Sequence, residues 1–154
     1  MYAFVGETGA RTPANEGLDV NLGPALTPTG VLPIDSAAAR QGARQIHEAP
    51  RRVTARLLRW VIDTGGQDHR RLGDGSLRAP GAEPIARAAA GADQRDRGND
   101  RLRALRAELG PKADGTVPVL QTRWLQGCDE RLDLGSVVVE LRRRAGAHTP
   151  VTCW

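Results

Sequence analysis

The chain has 154 residues and a net charge of +4, and 32 of those residues are Leu, Ile, Val or Phe. That length is one domain's worth, and the aliphatic share lies close to the level below which chains stop folding, so a small core is expected rather than a large one. No window approaches the roughly 18 apolar residues of a membrane span, and the N-terminus has no basic stretch leading into an apolar run; neither a membrane partner nor a signal peptide is expected, and the expected location is the cytoplasm.

The basic residues are 21 Arg and one Lys, Lys112. Ala, Arg, Gly and Pro make up 71 of 154 residues, all with GC-rich codons. Two origins fit this composition: a gene of a GC-rich genome, or translation of a frame without evolved function. The second predicts local helices that do not agree with one another, because nothing has selected the levels to be consistent.

In chain order, residues 1–34 read as an irregular arm, because Gly and Pro recur from Gly6 to Pro33 and interrupt every periodic run. Asp35 or Ser36 caps a predicted helix over 36–48, with Ala39, Ala43 and Ile46 on one side. Pro50 stops it and opens a second helix over 51–63, where Val53, Leu57, Trp60 and Val61 share a side at i, i+4, i+7 and i+8. Arg52, Arg56 and Arg59 follow the same period on another side. Gly65 and Gly66 end it, and 64–82 reads as a turn-rich linker. Glu83-Pro84 opens a helix over 84–95, and Asn99 caps another over 100–109, stopped by Gly110-Pro111.

After Asp114-Gly115 the period changes to two. Residues 116–125 and 136–142 read as a two-stranded element, with Pro118 favouring an edge position, and 143–154 reads as a tail. The fold class expected is α+β: a mainly helical first two-thirds with a C-terminal strand pair, and a single small domain over 35–142. A lone strand pair is marginal unless helices cover it.

Four stretches carry candidate chemistry. Gly6-Glu7-Thr8-Gly9 resembles the start of a phosphate-binding loop, but Arg11, Thr12 and Pro13 stand where the pattern needs Gly, Lys and Ser or Thr. Val61-Ile62-Asp63-Thr64-Gly65 resembles the signature of aspartic proteases, in which two aspartates share a proton and activate water. A single copy implies a homodimer, and the following Gly66-Gln67 departs from the family's usual continuation. Cys128, His148 and Cys153, with His69 or Asp129, are too loosely spaced for a zinc site, so no metal and no cofactor is expected. The arginines remain: Arg52, Arg56 and Arg59 form a basic helix face suited to nucleic acid or another polyanion, since guanidinium groups match phosphate bidentately. The composite expectation is a small basic protein that is not an enzyme, of unassigned function, with weak polyanion binding through helix 51–63 as the leading alternative, the protease-like homodimer and the unevolved frame after it.

Overall fold

A computed structural model describes residues 3–127, 129–135 and 137–142. Five strands form one mixed sheet in the order β1-β2-β3-β4-β5: β1 (Gly23–Thr27), β2 (Gly30–Ile34), β3 (Trp60–Ile62), β4 (Glu83–Arg87) and β5 (Arg123–Leu125). Strands β2 to β5 run parallel, and β1 closes one edge antiparallel to β2. Helix α1 (Arg40–Arg51) connects β2 to β3; the short helices α2 (Asp68–Arg71) and α3 (Asp74–Arg78) connect β3 to β4; α4 (Ala88–Leu109), followed by a 3-10 turn (Gly110–Ala113), connects β4 to β5. Strands β6 (Asp129–Asp133) and β7 (Val138–Arg142) form a separate antiparallel pair.

The expected mainly helical architecture is therefore corrected to an α/β one. The arm contains a hairpin. Pro28 and Thr29 make its turn, and the Thr27 hydroxyl accepts from the Gly30 N–H at 3.0 Å and reaches the Gly30 carbonyl at 2.8 Å. Pro24 and Pro33 stand opposite each other in the register, so the two missing donors fall on one rung. Helix 36–48 exists, shifted to Arg40–Arg51, and Pro50 lies inside its last turn instead of opening another helix. The Pro50 carbonyl accepts from Val53 and Thr54, turning the chain back toward the sheet.

No helix forms over 51–63. Val53 and Leu57, the start of the predicted apolar stripe, are exposed at 53% and 74%, whereas Val61 and Ile62 are fully buried. A parallel strand covered on both faces reads as a short unbroken apolar run, which periodicity cannot separate from a buried helix. Residues 84–95 are likewise divided: Glu83–Arg87 is a strand, and the helix starts at Ala88 and continues through 100–109 without a break. The predicted strand 116–125 narrows to β5, which pairs with β4 instead of the C-terminal strand. The predicted strand 136–142 becomes β7, paired with β6, whose residues carried no strand prediction.

The two faces of the sheet hold separate cores, and the alternation of β2 and β3 feeds both. Val31 and Val61 point to the face covered by Ala43 and Ile46 of α1 and Leu77 of α3. Leu32 and Ile62 point to the other, where Ile85 and Leu125 meet Leu132 and Leu141 of the β6–β7 pair. A third cluster seats Leu102, Leu105 and Leu109 of α4 on Ala38, Ala39 and Leu72. Small cores are thus distributed over several layers, which is how a chain poor in large side chains can bury its strands. Among the described residues no helix is long and apolar enough to cross a membrane.

Candidate functional site

Open parallel sheets present their functional groups beyond the C-terminal ends of the strands. Here Asp35 follows β2 and Asp63 follows β3, and both residues extend the ladder: Asp35 N–H donates to the Ile62 carbonyl and Asp63 N–H to the Ile85 carbonyl, each at 2.9 Å. Loop 63–73 folds over these ends as a shelf. The Arg70 carbonyl accepts from the Ser36 N–H at 2.7 Å and from its hydroxyl at 3.2 Å, and Gly73 N–H donates to the Ala37 carbonyl at 3.0 Å.

Asp35 and Ala37 have φ of 62° and 71°. Non-glycine residues in this region cost about 1–3 kcal/mol each and persist where their surroundings over-determine them. Asp35 shows how. Its buried carboxylate accepts from Thr64 N–H at 2.7 Å, from the Thr64 hydroxyl at 2.8 Å and from Arg70 Nη1 at 3.0 Å. Arg70 also donates Nη1 to Thr64 Oγ1 at 2.7 Å and Nε to Gln67 Oε1 at 3.0 Å. Burial pushes the Asp35 carboxyl up, against the pull of Thr64 and Arg70.

Beneath the shelf is a second cluster with no exposure to speak of. Gln121 Nε2 donates to Asp63 Oδ2 at 2.6 Å and to Asp74 Oδ2 at 2.9 Å. Burial raises both carboxyls, Asp63 well above its ordinary value, with the Asp74 charge adding to the shift, and Asp74 to about 6. Both carboxyls are thereby pushed toward the protonated form, Asp63 the more strongly. Arg71, fully buried, donates Nη1 to the Ala90 carbonyl at 2.7 Å and faces both carboxyls electrostatically. Its Nε and Nη2, Asp63 Oδ1, Asp74 Oδ1 and Gln121 Oε1 are buried without a hydrogen-bond partner in the protein, an arrangement of donors and acceptors suited to a bridging internal water.

On the open side of the shelf stands His69. Its Nδ1 lies 3.7 Å from Asp19 Oδ2 and 3.8 Å from Asp68 Oδ1, and its side chain is 21% exposed. Burial lowers its pKa, and the two carboxylates oppose the shift. Arg11 Nη1 holds Asp68 at 2.7 Å and anchors the N-terminal segment to this corner.

The sequence-predicted site residues fall elsewhere. Arg52, Arg56 and Arg59 are exposed on the connection between α1 and β3, at the opposite end of the strands, and share no helix face. Arg59 lies over the Trp60 ring, 5.5 Å from its centre. Asp63 does follow a strand, as an aspartic protease requires, but it is 3% exposed and is bridged by Gln121 to Asp74 of the same chain, so it offers no accessible carboxylate for a dimer to share. The phosphate-loop stretch forms no strand–loop–helix unit; Phe4 bridges antiparallel to Leu22 instead. Cys128, His148 and Cys153 lie outside the described residues. Sequence reading gave no site role to Asp35, Asp74 and Gln121, which are far apart in the chain, and counted Arg70 and Arg71 only among the basic clusters suited to a polyanion. The signal within reach was Asp63-Thr64-Gly65 closing a short apolar run.

No protein-family model matches the chain, and no curated protein does. Solved structures match in fold. A metallo-β-lactamase from Pontibacter korlensis is 11% identical with a TM-score of 0.67, over 88% of this chain and 55% of that one. The DIM-1 metallo-β-lactamase is 14% identical with a TM-score of 0.64, over 86% and 51%. A metallo-β-lactamase from Cronobacter sakazakii is 20% identical with a TM-score of 0.63, over 90% and 48%. The chain thus spans about half the length of each. The expectation of a non-enzymatic chain does not stand, because the fold it adopts is one that serves enzymes.

The name of these structures implies a metal, and the described residues of this chain do not fit one. Among them no three His, Cys, Asp or Glu side chains gather as a metal centre needs. The shelf offers one imidazole, and of the two carboxylates beside it Asp68 is already paired with Arg11 at 2.7 Å. Its buried carboxylates already accept from Arg70, or from Gln121 with burial pushing them toward the neutral form.

Proposed function

We propose that the chain is a hydrolytic enzyme module whose reaction centre is the open side of shelf 63–73, with His69 as general base. The observation that carries this reading is the imidazole itself. It is partly exposed at the C-terminal ends of parallel strands, it is neutral near pH 7 because burial lowers its pKa, and its Nδ1 faces two carboxylates. A neutral imidazole can take a proton from water attacking a carbonyl, and Asp19 and Asp68 then stabilise the imidazolium that forms. The substrate class is an acyl compound with a cleavable amide or ester. The names of the solved neighbours make β-lactams the first to try.

The test is hydrolysis of a chromogenic cephalosporin and a p-nitrophenyl ester by the full chain. His69→Ala is expected to lower kcat by about 10²- to 10⁴-fold, the range of general base catalysis. The wild-type rate should rise with pH through a midpoint below 6.5, the ordinary histidine value. A variant within twofold of wild type, or a wild-type rate equal to buffer, removes the reading.

A second reading, binding of a polyanion such as nucleic acid, rests on a different surface. Arg52, Arg56 and Arg59 are exposed and, among the described residues, form no ion pair. Arg51, Arg56 and His47 line a cavity of about 340 Å³ beside them, floored by Val31 and Leu58. Binding to random oligonucleotides is expected to weaken steeply with salt, each arginine replaced by Gln making the log–log slope shallower by roughly 0.7–0.9. Absent binding at low ionic strength, or salt-independent binding, overturns it.

A further inference from the structure

Three buried carboxyls, Asp35, Asp63 and Asp74, underlie the shelf, each at most 3% exposed. Buried charge of this kind must be neutralised by a proton, a bound cation or a cationic side chain. Burial pushes Asp63 and Asp74, bridged by Gln121, toward the protonated form, which removes charge at that pair. For the charge that remains the chain has two guanidinium groups, adjacent in sequence and divided between the clusters. Arg70 reaches Asp35 at 3.0 Å, and Arg71, completely buried, donates to the Ala90 carbonyl at 2.7 Å and acts on Asp63 and Asp74 through its charge, without an ion pair to either.

Arg70 is placed as a coordinating centre would be. One guanidinium contacts Asp35 at the end of β2, Thr64 just past the end of β3 and Gln67 at the start of α2. Its planar fork fixes these directions, which an ammonium could not. The three segments it joins are those whose backbones converge on Ser36 and Gly73.

We infer that the shelf is a metal-independent site: Arg70 and Arg71 supply, as part of the chain, the positive charge that a metal supplies elsewhere, and loop 63–73 folds and stays closed without a metal ion. This rests on the loop's own contacts and does not depend on what His69 acts upon.

The experiment is thermal melting of the full chain after dialysis against EDTA, and again with added zinc, alongside Arg70→Ala, Arg70→Lys and Arg70→Ala combined with Asp35→Asn. Wild-type Tm is expected to agree within about 1 °C in EDTA and in zinc. Arg70→Ala is expected to lower Tm by several degrees, because it leaves the buried Asp35 carboxylate without its cation, and zinc is expected not to restore it. Arg70→Lys should fall between, keeping the charge and losing the fork. Asp35→Asn should recover part of the loss in the alanine background, because it removes the carboxylate left unpaired.

If Arg70→Ala does not fold, the wild-type comparison and Arg70→Lys carry the test. A Tm that drops several degrees in EDTA overturns the inference if the drop persists when Cys128, His148 and Cys153 are replaced. If it vanishes on that replacement, the metal is bound elsewhere and the inference stands. Rescue of Arg70→Ala by zinc also overturns it.

Discussion

Gly73→Ala is expected to destabilise the fold by about 3 kcal/mol or more, the upper part of the overpacking range, and to lower Tm by about 10 °C. A Cβ at this position would lie 2.0 Å from the Ser36 carbonyl oxygen and 2.9 Å from Ala43 Cβ. The first obstacle is backbone, so no side-chain rotation relieves it. Retreat of the Ser36 segment would break the Gly73–Ala37 and Ser36–Arg70 backbone hydrogen bonds, at 3.0 and 2.7 Å, and would move Asp35, whose positive φ depends on the same contacts. Gly98→Ala is the matched control. It is also buried, but lies within α4, and its Cβ would meet the flexible Gln94 side chain at 3.3–3.4 Å and Pro118 Cβ at 3.4 Å. Relief of the helix penalty, about 1 kcal/mol for Gly against Ala, offsets that crowding, so Tm should stay within a few degrees. Chemical and thermal unfolding of the two variants check this. Equal melting of Gly73→Ala and wild type would mean that the Ser36 segment and the shelf are not in the contact described.

The same close approach explains why the site was hard to read from the sequence. Gly73-Asp74-Gly75 looks like turn punctuation, and it is a turn, but its function is to let two backbones touch. Nothing local announces that Ser36 is the other one. Where local rules decide the structure, they were legible: Ala43 and Ile46 do face the core from a helix, and Gly110-Pro111 does end one. Where tertiary burial decides, they were not. Leu57 to Ile62 contains five apolar side chains among six residues, and helix or strand depends on whether both faces find cover. Val61 meets Ile46's cluster and Ile62 meets Leu132's, so the strand prevails. The hairpin at 23–34 was hidden by prolines that each look like a breaker until Pro24 and Pro33 are seen to oppose one another. Agreement of this kind between turn chemistry, alternation and burial is what a frame without evolved function lacks.

The buried pair Asp63 and Asp74 should make the protein less stable as pH rises from about 4 to 8. In the unfolded chain both carboxyls ionise near their ordinary value of 3.8, whereas in the fold burial raises Asp74 to about 6 and Asp63 well above the ordinary value. The folded state therefore holds more protons than the unfolded one across this window, and stability falls with pH wherever that is so. The contribution is fully present below about pH 4 and is lost through about pH 6, with Asp63 extending the loss upward. From Asp74 alone the loss is about 3 kcal/mol, at 1.36 kcal/mol for each pH unit. Arg71 is the cation acting on the pair, Asp35 adds a further negative charge, and Gln121 donates to both carboxyls. His69 acts in the opposite sense. Its pKa is lowered on folding, so its contribution is lost as pH falls below about 6.5. A single profile mixes the two, and the comparison with Asp63→Asn separates them. The amide can donate to Asp74 as the protonated acid does, and it carries no charge at any pH. The variant should keep the histidine limb, lose much of the decline above pH 5, and melt above wild type at pH 8. Melting curves by circular dichroism between pH 4 and 8 read this directly. Parallel profiles for the two proteins would mean that Asp63 is ionised in the fold, and that Arg71 neutralises both carboxylates without a bound proton.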